Sequence, residues 1–391
     1  MDFRESPETQ RFRAEVRAFL REELTPEIAA RVRETGTYHD WGLHRAIAAR
    51  GWLRAALPGA RGERIHSPEA LAALFQELDL AGAPYDGVSN AMLVASALAR
   101  VGSAFQREEL LPRFLAGEQI PCLGYSEPGS GSDVAAATTR AERDGAGWRI
   151  HGHKLWTSLA EEASHAFLLA RTRRDGPKHR GLSFFLVPMD SPGIEIQPIR
   201  TLSGKRSNAT FWDGVAVDDR WRVGDVDGGW QVMLVGLAYE RGIAGGVSDA
   251  LRLHRAAREA AEQTLRPDGS RAIDDPALRE RLARVAIDAE VADLLAARAA
   301  FAAASDALPG LEGAQAKLFA TEAFVRASAS LLGALGPEAL READPAAPDA
   351  APLAFLSRAV RHAPITTTHG GTSEIQRNLI AERALGLPRA R

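Results

Sequence analysis

The amino-acid sequence predicts a mainly α-helical protein with a small β-domain at its centre. Apolar residues recur at helical spacing through residues 1–118 and again through residues 227–391. Between these regions, residues 119–226 contain short β-rich runs separated by Gly, Pro and Asp turns. No internal repeat and no alternation of strands with helices occurs in the sequence, which argues against a doubly wound parallel sheet.

The N-terminal helical domain begins with the amphipathic run PETQRFRAEVRAFLREEL. Its apolar stripe consists of Phe12, Val16, Phe19 and Leu20. A second run, SPEALAALFQELDL, starts on a Ser-Pro signal and repeats the same pattern. We predict a further helix over about 89–100, and the run SAFQREELLPRFLAGE closes the domain.

The middle domain contains five β-rich runs, GWRIHG, HAFLLART, GLSFFLVPM, GIEIQPI and ATFWDGVAV. After it, the helical period returns in long pieces. We predict helices over about 229–265, 275–305, 312–336, 352–362 and 373–385, with a Pro/Ala/Asp loop near 343–352.

Composition excludes several classes of function. The chain has 391 residues, and its 48 Lys and Arg against 51 Asp and Glu give a net charge of −3, so no basic field favours nucleic acid. No apolar run predicts a membrane span, and the charged start MDFRESPETQRFRAEV is not typical of a signal peptide, so we expect a cytoplasmic protein. A single cysteine, Cys122, excludes an internal disulfide and a zinc-thiolate cluster; we expect it to be buried and expect no metal site.

Three motifs carry candidate chemistry. The loop GYSEPGSGSD (124–133) offers small side chains and many donors that can wrap a phosphate or a polar ring edge, although alone it is more typical of a surface turn. The run KLWTS places Trp156 before two hydroxyl residues, which suits a planar heteroaromatic cofactor, although such a Trp is more often core. The run TTTHGGTSEIQRNLI (366–380) sets two glycines before a helix, which indicates a close approach or a positive φ.

Together these motifs resemble the acyl-CoA dehydrogenase family of flavoproteins. The family pattern has Tyr-x-(Thr/Ser)-Glu-Pro-x-x-Gly-Ser-Asp, then Lys-x-Trp-(Ile/Thr)-(Thr/Ser), then a C-terminal Gly-Thr-Ser-x-Ile-Gln-Arg helix, and the likeness covers nearly the whole chain. GPKHRGLSFFLV, SNATFWDGVAV and IAERALGLPR are most similar to an actinobacterial branch that includes steroid side-chain dehydrogenases. The resemblance implies a β-barrel-like middle domain and a C-terminal four-helix bundle. It also implies FAD-dependent oxidation of an acyl-CoA thioester to the trans-2-enoyl-CoA, with electrons passed to an electron-transfer flavoprotein or similar acceptor.

The resemblance also implies a cofactor site. Tyr125 and Ser126 would meet the flavin ring, and Gly131 and Ser132 would meet the FAD pyrophosphate. Trp156 would cover one ring face. The remaining expected contacts are Thr157 and Ser158 at the N5/O4 edge, and Thr372 and Glu374 at the adenosine or ribose end.

The family chemistry needs a carboxylate base for the α-proton and donors on the thioester carbonyl oxygen. In many members the base is a Glu directly before the Gly-Thr-Ser step, where this chain has Gly370; its backbone N–H would remain as a carbonyl donor. Glu374 is predicted to be a helix-start acid, with Arg377 three residues on as a neighbour. The second family location is the first helix after the β-domain, which carries Glu240.

Projection at helical spacing supports Glu240 as the base. Its same-face neighbours are apolar or small, namely Met233, Gly236, Leu237, Ile243, Ala244 and Val247. Burial on such a face would raise the carboxyl pKa towards neutrality, although an internal salt bridge remains the alternative. Arg241 is expected near the thioester, and His369 is expected to line the substrate pocket.

Two departures from the family pattern concern contacts between subunits and the FAD. The Arg-x-x-Phe-Gly motif is absent where TLRPDGSRAIDDP stands, and Ser330 replaces the usual Gln. The chain would therefore form a homodimer or homotetramer that holds FAD differently, or a hetero-oligomer with a homologous subunit. Three alternatives to a complete dehydrogenase remain: a catalytically silent partner subunit, a flavin monooxygenase on the same fold, and a non-enzymatic helical interaction protein.

Overall fold

The computed structural model describes residues 3–57, 68–242, 247–266, 268–304, 311–335 and 350–388. The chain divides into two compact units. The sheet unit comprises Arg17–Ser67 and Ala83–Glu240, and the bundle unit comprises Met1–Val16, Pro68–Gly82 and Arg241–Arg391. Helices α1 to α6 are Pro7–Glu23, Pro26–Thr35, Trp41–Ala49, Pro68–Leu80, Asp86–Val101 and Leu111–Leu115. Helices α7 to α12 are Gly229–Gly242, Val247–Gln263, Pro276–Ala304, Glu312–Leu335, Ala350–Thr366 and Ser373–Arg383.

One sheet forms the centre of the sheet unit. Its strands β1 to β8 are Pro121–Gly124, Arg140–Asp144, Gly147–Lys154, His165–Arg171, Leu182–Pro188, Ile194–Arg200, Arg206–Asp218 and Arg222–Val223. They follow the order β6-β7-β3-β2-β4-β5-β8, and β1 pairs with β4 in parallel. The five predicted β-runs are confirmed as β3 to β7. The sequence reasoning did not single out β2 as a strand, because its residues RAERD are mostly charged.

The core of the sheet is built from the alternate positions of these strands. Trp148, Phe185, Trp212 and Val215 are almost fully buried there. Cys122 lies in the same core, and burial raises the pKa of its thiol to about 12. The prediction of a buried cysteine is therefore confirmed, and its high pKa excludes a thiolate nucleophile at neutral pH.

Helices of the sheet unit cover this core. The central part of α5 is buried, including Met92, Val94 and Leu98. A π-helical turn precedes α6, and its fully buried Gln106 donates from Nε2 to the carbonyl oxygens of Arg220 and Arg222, each at 2.9 Å. This side chain fastens the helical layer to the end of the sheet.

The bundle unit contains long helices around a separate apolar core. Leu253, Leu282, Phe324, Leu331 and Leu356 lie in this core, one or more from each of α8 to α11. The predicted helices are confirmed in position, and the predicted span 229–265 contains two helices, α7 and α8. The mainly α fold class with a central sheet is also confirmed.

Helix α11 differs from its prediction because it continues to Thr366 rather than ending near residue 362. Pro364 lies inside its last turn. The hydroxyl groups of Thr366 and Thr367 donate to the carbonyl oxygens of Ala363 and Pro364 at 2.7 and 2.8 Å. These bonds satisfy carbonyl groups that have no intrahelical partner at the helix end.

Helix α10 is long and apolar enough to cross a membrane by length and composition alone. Its buried residues include Ala320, Phe324 and Leu331, which pack against neighbouring helices of the bundle. Burial inside a helical bundle accounts for this apolar composition.

Candidate active site

The turn at residues 156–159 has strained backbone. Trp156 and Leu159 both have φ of 63°, a region that residues other than glycine rarely adopt. Leu159 is buried, but Trp156 remains 57% exposed. Such conformations cost about 1–3 kcal/mol each and persist only where neighbouring groups hold them, often at functional sites.

Asn208 on β7 holds this turn in place. The Thr157 N–H donates to the Asn208 carbonyl oxygen, and Asn208 Nδ2 donates to the Thr157 carbonyl oxygen, both at 2.9 Å. Asn208 Nδ2 also donates to Glu161 Oε2 at 2.7 Å. The other Glu161 oxygen accepts from the Thr37 hydroxyl at 2.9 Å and lies 3.3 Å from Arg206 Nε. A partly buried network of charged and amide groups therefore fixes the turn.

The polar groups of the turn include an unsatisfied hydroxyl. Thr157 is fully buried, and its Oγ1 has no hydrogen-bond partner among the described residues. The Ser158 hydroxyl lies 3.4 Å from the Ser207 hydroxyl, a long contact. An exposed indole face beside an unsatisfied hydroxyl fits a planar ring with a polar edge, such as the isoalloxazine of FAD. The residues present therefore fit the expected cofactor.

The loop 124–133 is fastened to β3 by a buried ion pair. Lys154 Nζ lies 2.8 Å from Glu127 Oε1 and donates to the Tyr125 carbonyl oxygen at 3.1 Å. The Leu155 N–H donates to the Ser126 carbonyl oxygen at 2.9 Å. These bonds bring the predicted residues Tyr125 and Ser126 beside the strand that leads into Trp156.

The ion pair is charged at neutral pH. Burial opposes ionisation of Glu127, but the Lys154 ammonium and the hydrogen bonds from Thr138 outweigh it and lower the Glu127 pKa to about 2. Burial lowers the pKa of Lys154 to about 8, although the Glu127 carboxylate counteracts this shift. Glu127 Oε2 accepts from the Thr138 N–H and hydroxyl, each at 2.7 Å, and Oε1 accepts from the Thr139 N–H at 2.9 Å.

The far end of the loop is open. A Cβ added at Gly131 would meet no atom within 4 Å, and its φ is not positive, so nothing in the chain itself requires glycine there. Ser132 is exposed beside it. Space and donors at this end suit close approach of an anionic group such as a pyrophosphate.

Sequence reasoning missed the residues that support the site. Glu127 and Lys154 lie inside the motifs that were singled out, and Asn208 lies in a predicted strand, but none was assigned a role. The run GWRIHGHK gave only a weak signal for Lys154: this residue has the same parity as the buried residues Trp148 and Ile150, but the exposed Gly152 interrupts the alternation. No local pattern indicates the partners of Asn208 or Glu161.

The glycine pair of the bundle unit has left-handed backbone, as one predicted alternative required. Gly370 and Gly371 have φ of 66° and 90°. Gln376 Nε2 donates to both of their carbonyl oxygens at 3.1 and 3.2 Å, and Lys317 Nζ donates to the Gly371 carbonyl oxygen at 2.7 Å. A Cβ at Gly371 would lie 2.7 Å from Gln376 Nε2. The positive φ favours glycine at both positions, and the close approach of Gln376 adds a steric reason at Gly371.

Thr372 and Glu374 occupy the start of α12. Thr372 is the N-cap, and its hydroxyl accepts from the Ile375 N–H at 3.3 Å. Glu374 is an exposed acid of the first turn, and hydrogen bonds from its own backbone N–H and the Thr372 hydroxyl lower its carboxyl pKa. Arg377 does not form its ion pair with Glu374; it lies 2.6 Å from Glu322 of α10, because the side chain extends to the neighbouring helix. His369 is exposed in this chain.

Glu240 and Arg241 lie in the last turns of α7, and their side chains are outside the described residues. The face that carries Glu240 is buried one and two turns earlier, at Gly236 and Met233. A Cβ at Gly236 would lie 3.4 Å from the Leu93 side chain. Among the described residues, no group of three or more His, Cys, Asp and Glu side chains could hold a metal ion.

The chain matches three domain families in succession. Residues 6–118 match the acyl-CoA dehydrogenase N-terminal domain, residues 122–213 the middle domain and residues 227–385 the C-terminal domain. The chain is 34% identical to acyl-CoA dehydrogenase IpdE1 of Mycobacterium tuberculosis over 398 residues, with 98% of each protein covered. It is 33% identical to acyl-CoA dehydrogenase FadE26 of the same organism, again with 98% of each covered.

Solved structures give the same result. A steroid acyl-CoA dehydrogenase, Tcur3481-Tcur3483, superposes with a TM-score of 0.88 and 32% identity, and 100% of each chain is covered. The ChsE4-ChsE5 complex from Mycobacterium tuberculosis superposes with a TM-score of 0.87 and 32% identity, also over 100% of each chain.

Proposed function

Because this chain belongs to the acyl-CoA dehydrogenase family, whose cofactor is FAD, we propose that it oxidises an acyl-CoA thioester to the trans-2-enoyl-CoA. Electrons would pass to an electron-transfer flavoprotein or a similar acceptor. The proposal is consistent with the oxidoreductase class of the family.

The strained turn at Trp156 is the observation that carries the proposal. FAD bound there would accept, at flavin N5, the hydride that leaves the substrate β-carbon. Trp156 would cover one face of the ring, and the unpartnered Thr157 hydroxyl would bond its polar edge together with Ser158. Tyr125 and Ser126, whose carbonyl groups bond to Lys154 and Leu155, would also contact the flavin ring. Gly131 and Ser132 would contact the pyrophosphate.

Glu240 is the base in this proposal. It would take the proton from the α-carbon while the backbone N–H of Gly370 donates to the thioester carbonyl oxygen. Gly236 and Met233, one and two turns earlier on the same helical face, are buried, which supports this assignment. Glu374 is less suitable, because it is exposed and its pKa is lowered. Arg241 and His369 would contact the substrate, and Thr372 and Glu374 the adenosine end of FAD.

Two matched variants test the assignment of the base. Glu240→Gln should lower the rate of acyl-CoA desaturation by about 10²–10⁴-fold and leave the visible flavin spectrum intact. Glu262→Gln, at an exposed acid of α8 that pairs with Arg258, should keep the desaturation rate within a few-fold, because this residue has no proposed role in proton transfer or FAD binding. Near-normal turnover of Glu240→Gln would exclude it as the base.

The relatives support a proposal for the substrate class. We propose a steroid side-chain or fatty acyl-CoA, because Tcur3481-Tcur3483 is a steroid acyl-CoA dehydrogenase. Anaerobic bleaching of the bound flavin with a panel of steroid and straight-chain acyl-CoA thioesters would rank the substrates. If no thioester bleached the flavin, this result would contradict the proposed reaction.

We also propose that the enzyme acts in the cytoplasm.

A second arrangement is a mixed assembly with a homologous subunit. It is favoured by the missing Arg-x-x-Phe-Gly motif and by Ser330, and the similar structures include two-chain complexes. In this arrangement the purified chain would be colourless, and co-expression with the homologous subunit would restore the flavin spectrum. A yellow protein purified alone would instead support a homodimer or homotetramer.

A further inference from the structure

A residue with left-handed backbone stands directly before the helix that carries Glu240. Among the described residues, three that are not glycine have positive φ, and two of them, Trp156 and Leu159, lie in the candidate flavin site. The third is Asp227, with φ of 64°, two residues before α7 begins at Gly229. Such conformations cluster at functional sites, which makes Asp227 a candidate for a role in the reaction.

A closed ring of hydrogen bonds holds Asp227 in this conformation. Its backbone N–H donates to Ser183 Oγ at 2.9 Å, and its Oδ1 accepts from the Thr172 hydroxyl at 2.7 Å. Because the Thr172 proton is given to the carboxylate, the Ser183 hydroxyl donates to Thr172 Oγ1, 2.8 Å away, and this bond closes the ring. Ser183 is fully buried in β5, and Thr172 directly follows β4. The ring therefore fixes both the amide and the carboxylate of Asp227 to the sheet.

The second carboxylate oxygen of Asp227 is also bonded. Arg173 Nε donates to Oδ2 at 2.9 Å. The side chain of Arg173 is 41% exposed, so water weakens this ion pair, and the hydroxyl ring is the main attachment.

The start of α7 lies against β5. A Cβ added at Gly229 would be 2.7 Å from the Leu182 carbonyl oxygen, and Gly228 forms a bridge with Leu182. Gly229 is buried, and Val232 and Met233 in the first turns of the helix are almost fully buried. The direction of α7 is therefore set where the helix begins.

Glu240 lies near the other end of this helix. It follows Gly229 by eleven residues, which corresponds to about 16 Å along the axis. A change of about 5° in the direction of the helix would displace position 240 by about 1.4 Å. A misplacement of about 1 Å can lower a reaction rate about 10²-fold. A small shift at the start of α7 is thus large enough to impair a base at Glu240.

We propose that Asp227 is a positioning residue, which sets the direction of α7 and thereby places Glu240 for removal of the α-proton. Asp227 acts through the helix and takes no part in proton transfer. This role rests on the proposed function, because it takes Glu240 as the base. The attachment of α7 to the sheet is independent of the reaction and can be measured separately.

Asp227→Gly tests this role, because glycine adopts the same φ but offers no carboxylate. The kcat for acyl-CoA desaturation should fall about tenfold or more, with KM nearly unchanged. The isotope effect with an α-deuterated acyl-CoA should rise, because removal of the α-proton then limits the rate more than product release does. Asp227→Asn tolerates a positive φ and keeps an oxygen for Thr172, so it should recover most of the rate.

Asp175→Gly is the matched control. Asp175 also pairs with Arg173, with Oδ2 and Nη1 3.5 Å apart, but its side chain is 83% exposed and lies outside the hydroxyl ring. This variant should keep the kcat and the isotope effect of the parent protein. Thr172→Val removes the hydroxyl at nearly the same size, and it should lower kcat in the same direction as Asp227→Gly.

Hydrogen exchange of the purified protein without substrate measures the attachment of α7. The amides of residues 229–240 should exchange at least about tenfold faster in Asp227→Gly, because the start of the helix is no longer fixed, and at the parent rate in Asp175→Gly. Parent-like exchange in Asp227→Gly, or faster exchange with a parent-like kcat, would overturn the proposal, as would an equal loss of kcat in Asp175→Gly. Near-normal turnover of Glu240→Gln would instead contradict the proposed base, while faster exchange in Asp227→Gly would still establish the attachment.

Discussion

Lys154 and Glu127 form a buried ion pair, with Nζ and Oε1 2.8 Å apart and side chains 0% and 4% exposed. The pair joins the loop 124–133 to the strand that leads into Trp156, so its energetics control the shape of the candidate flavin site. Removing one partner of such a pair leaves a buried charge without compensation.

Glu127→Gln should therefore lower the free energy of unfolding by about 3 kcal/mol or more, measured by chemical denaturation. Glu262→Gln is the matched control, because Glu262 pairs with Arg258 in an exposed position. The control should change stability by less than about 1 kcal/mol. Equal, small effects of the two variants would show that the buried pair does not support the fold.

Stability should fall in mild acid because of a buried histidine pair. His39 and His44 are buried with ring centroids 5.2 Å apart, and their ring nitrogens have no hydrogen-bond partner among the described residues. Burial and the nearby positive charges of Arg31 and Arg45 lower the pKa of His39 from 6.5 to about 3. Burial and the positive charge of Arg45 lower the pKa of His44 from 6.5 to about 4.

Both histidines are neutral in the folded protein, whereas the unfolded chain binds protons as pH falls below about 6.5. Stability is thus fully present above that pH and declines towards pH 4. His44→Leu should make this decline shallower in urea titrations at several pH values. His153→Leu, at an exposed histidine, should leave the slope unchanged; a similar change in both variants would contradict the assignment.

The strained φ of Trp156 predicts an unusual order of stability for the variants at this position. Trp156→Gly should be more stable than Trp156→Ala by about 1 kcal/mol, because glycine adopts a positive φ without strain. Denaturation of the flavin-free proteins would measure the difference. Both variants should lose flavin during gel filtration, since each removes the indole face. If Trp156→Ala were more stable than Trp156→Gly, this result would show that the backbone strain is absent.

Asn208 should matter through the two bonds that its side-chain amide donates, to the Thr157 carbonyl oxygen and to Glu161 Oε2. Asn208→Ala leaves the Thr157 carbonyl oxygen and Glu161 without this donor, so unfolding should become easier by about 2 kcal/mol. Flavin affinity, followed by fluorescence on dilution, should weaken as well. Gln197→Ala on β6, where the glutamine is exposed, provides a control that should alter neither property.

Much of the architecture and part of the site were predictable from the sequence. Periodicity identified the helices and five of the strands, because burial of one face imposes a 3.6- or 2-residue repeat on apolar positions. The paired glycines before α12 were correctly associated with positive φ, since few other residues adopt it. The donors and the aromatic face of the short motifs predicted a phosphate or a planar aromatic ligand, and only the family resemblance implied that this ligand is FAD; the contacts of the individual site residues stay predictions.

Contacts distant in sequence were decided only by the tertiary structure. Nothing near Trp156 indicates a left-handed backbone, because Asn208 and Glu161 hold that turn from other elements. Arg377 forms an ion pair with Glu322 on another helix, which its local spacing from Glu374 could not show, and its charge still contributes to the lowered Glu374 pKa. Helix α9 likewise exposes large apolar side chains in a sequence that reads as a core helix, and only packing shows which of its faces the bundle leaves exposed. Local chemistry is encoded residue by residue, whereas burial and partnership depend on which surfaces the fold brings together.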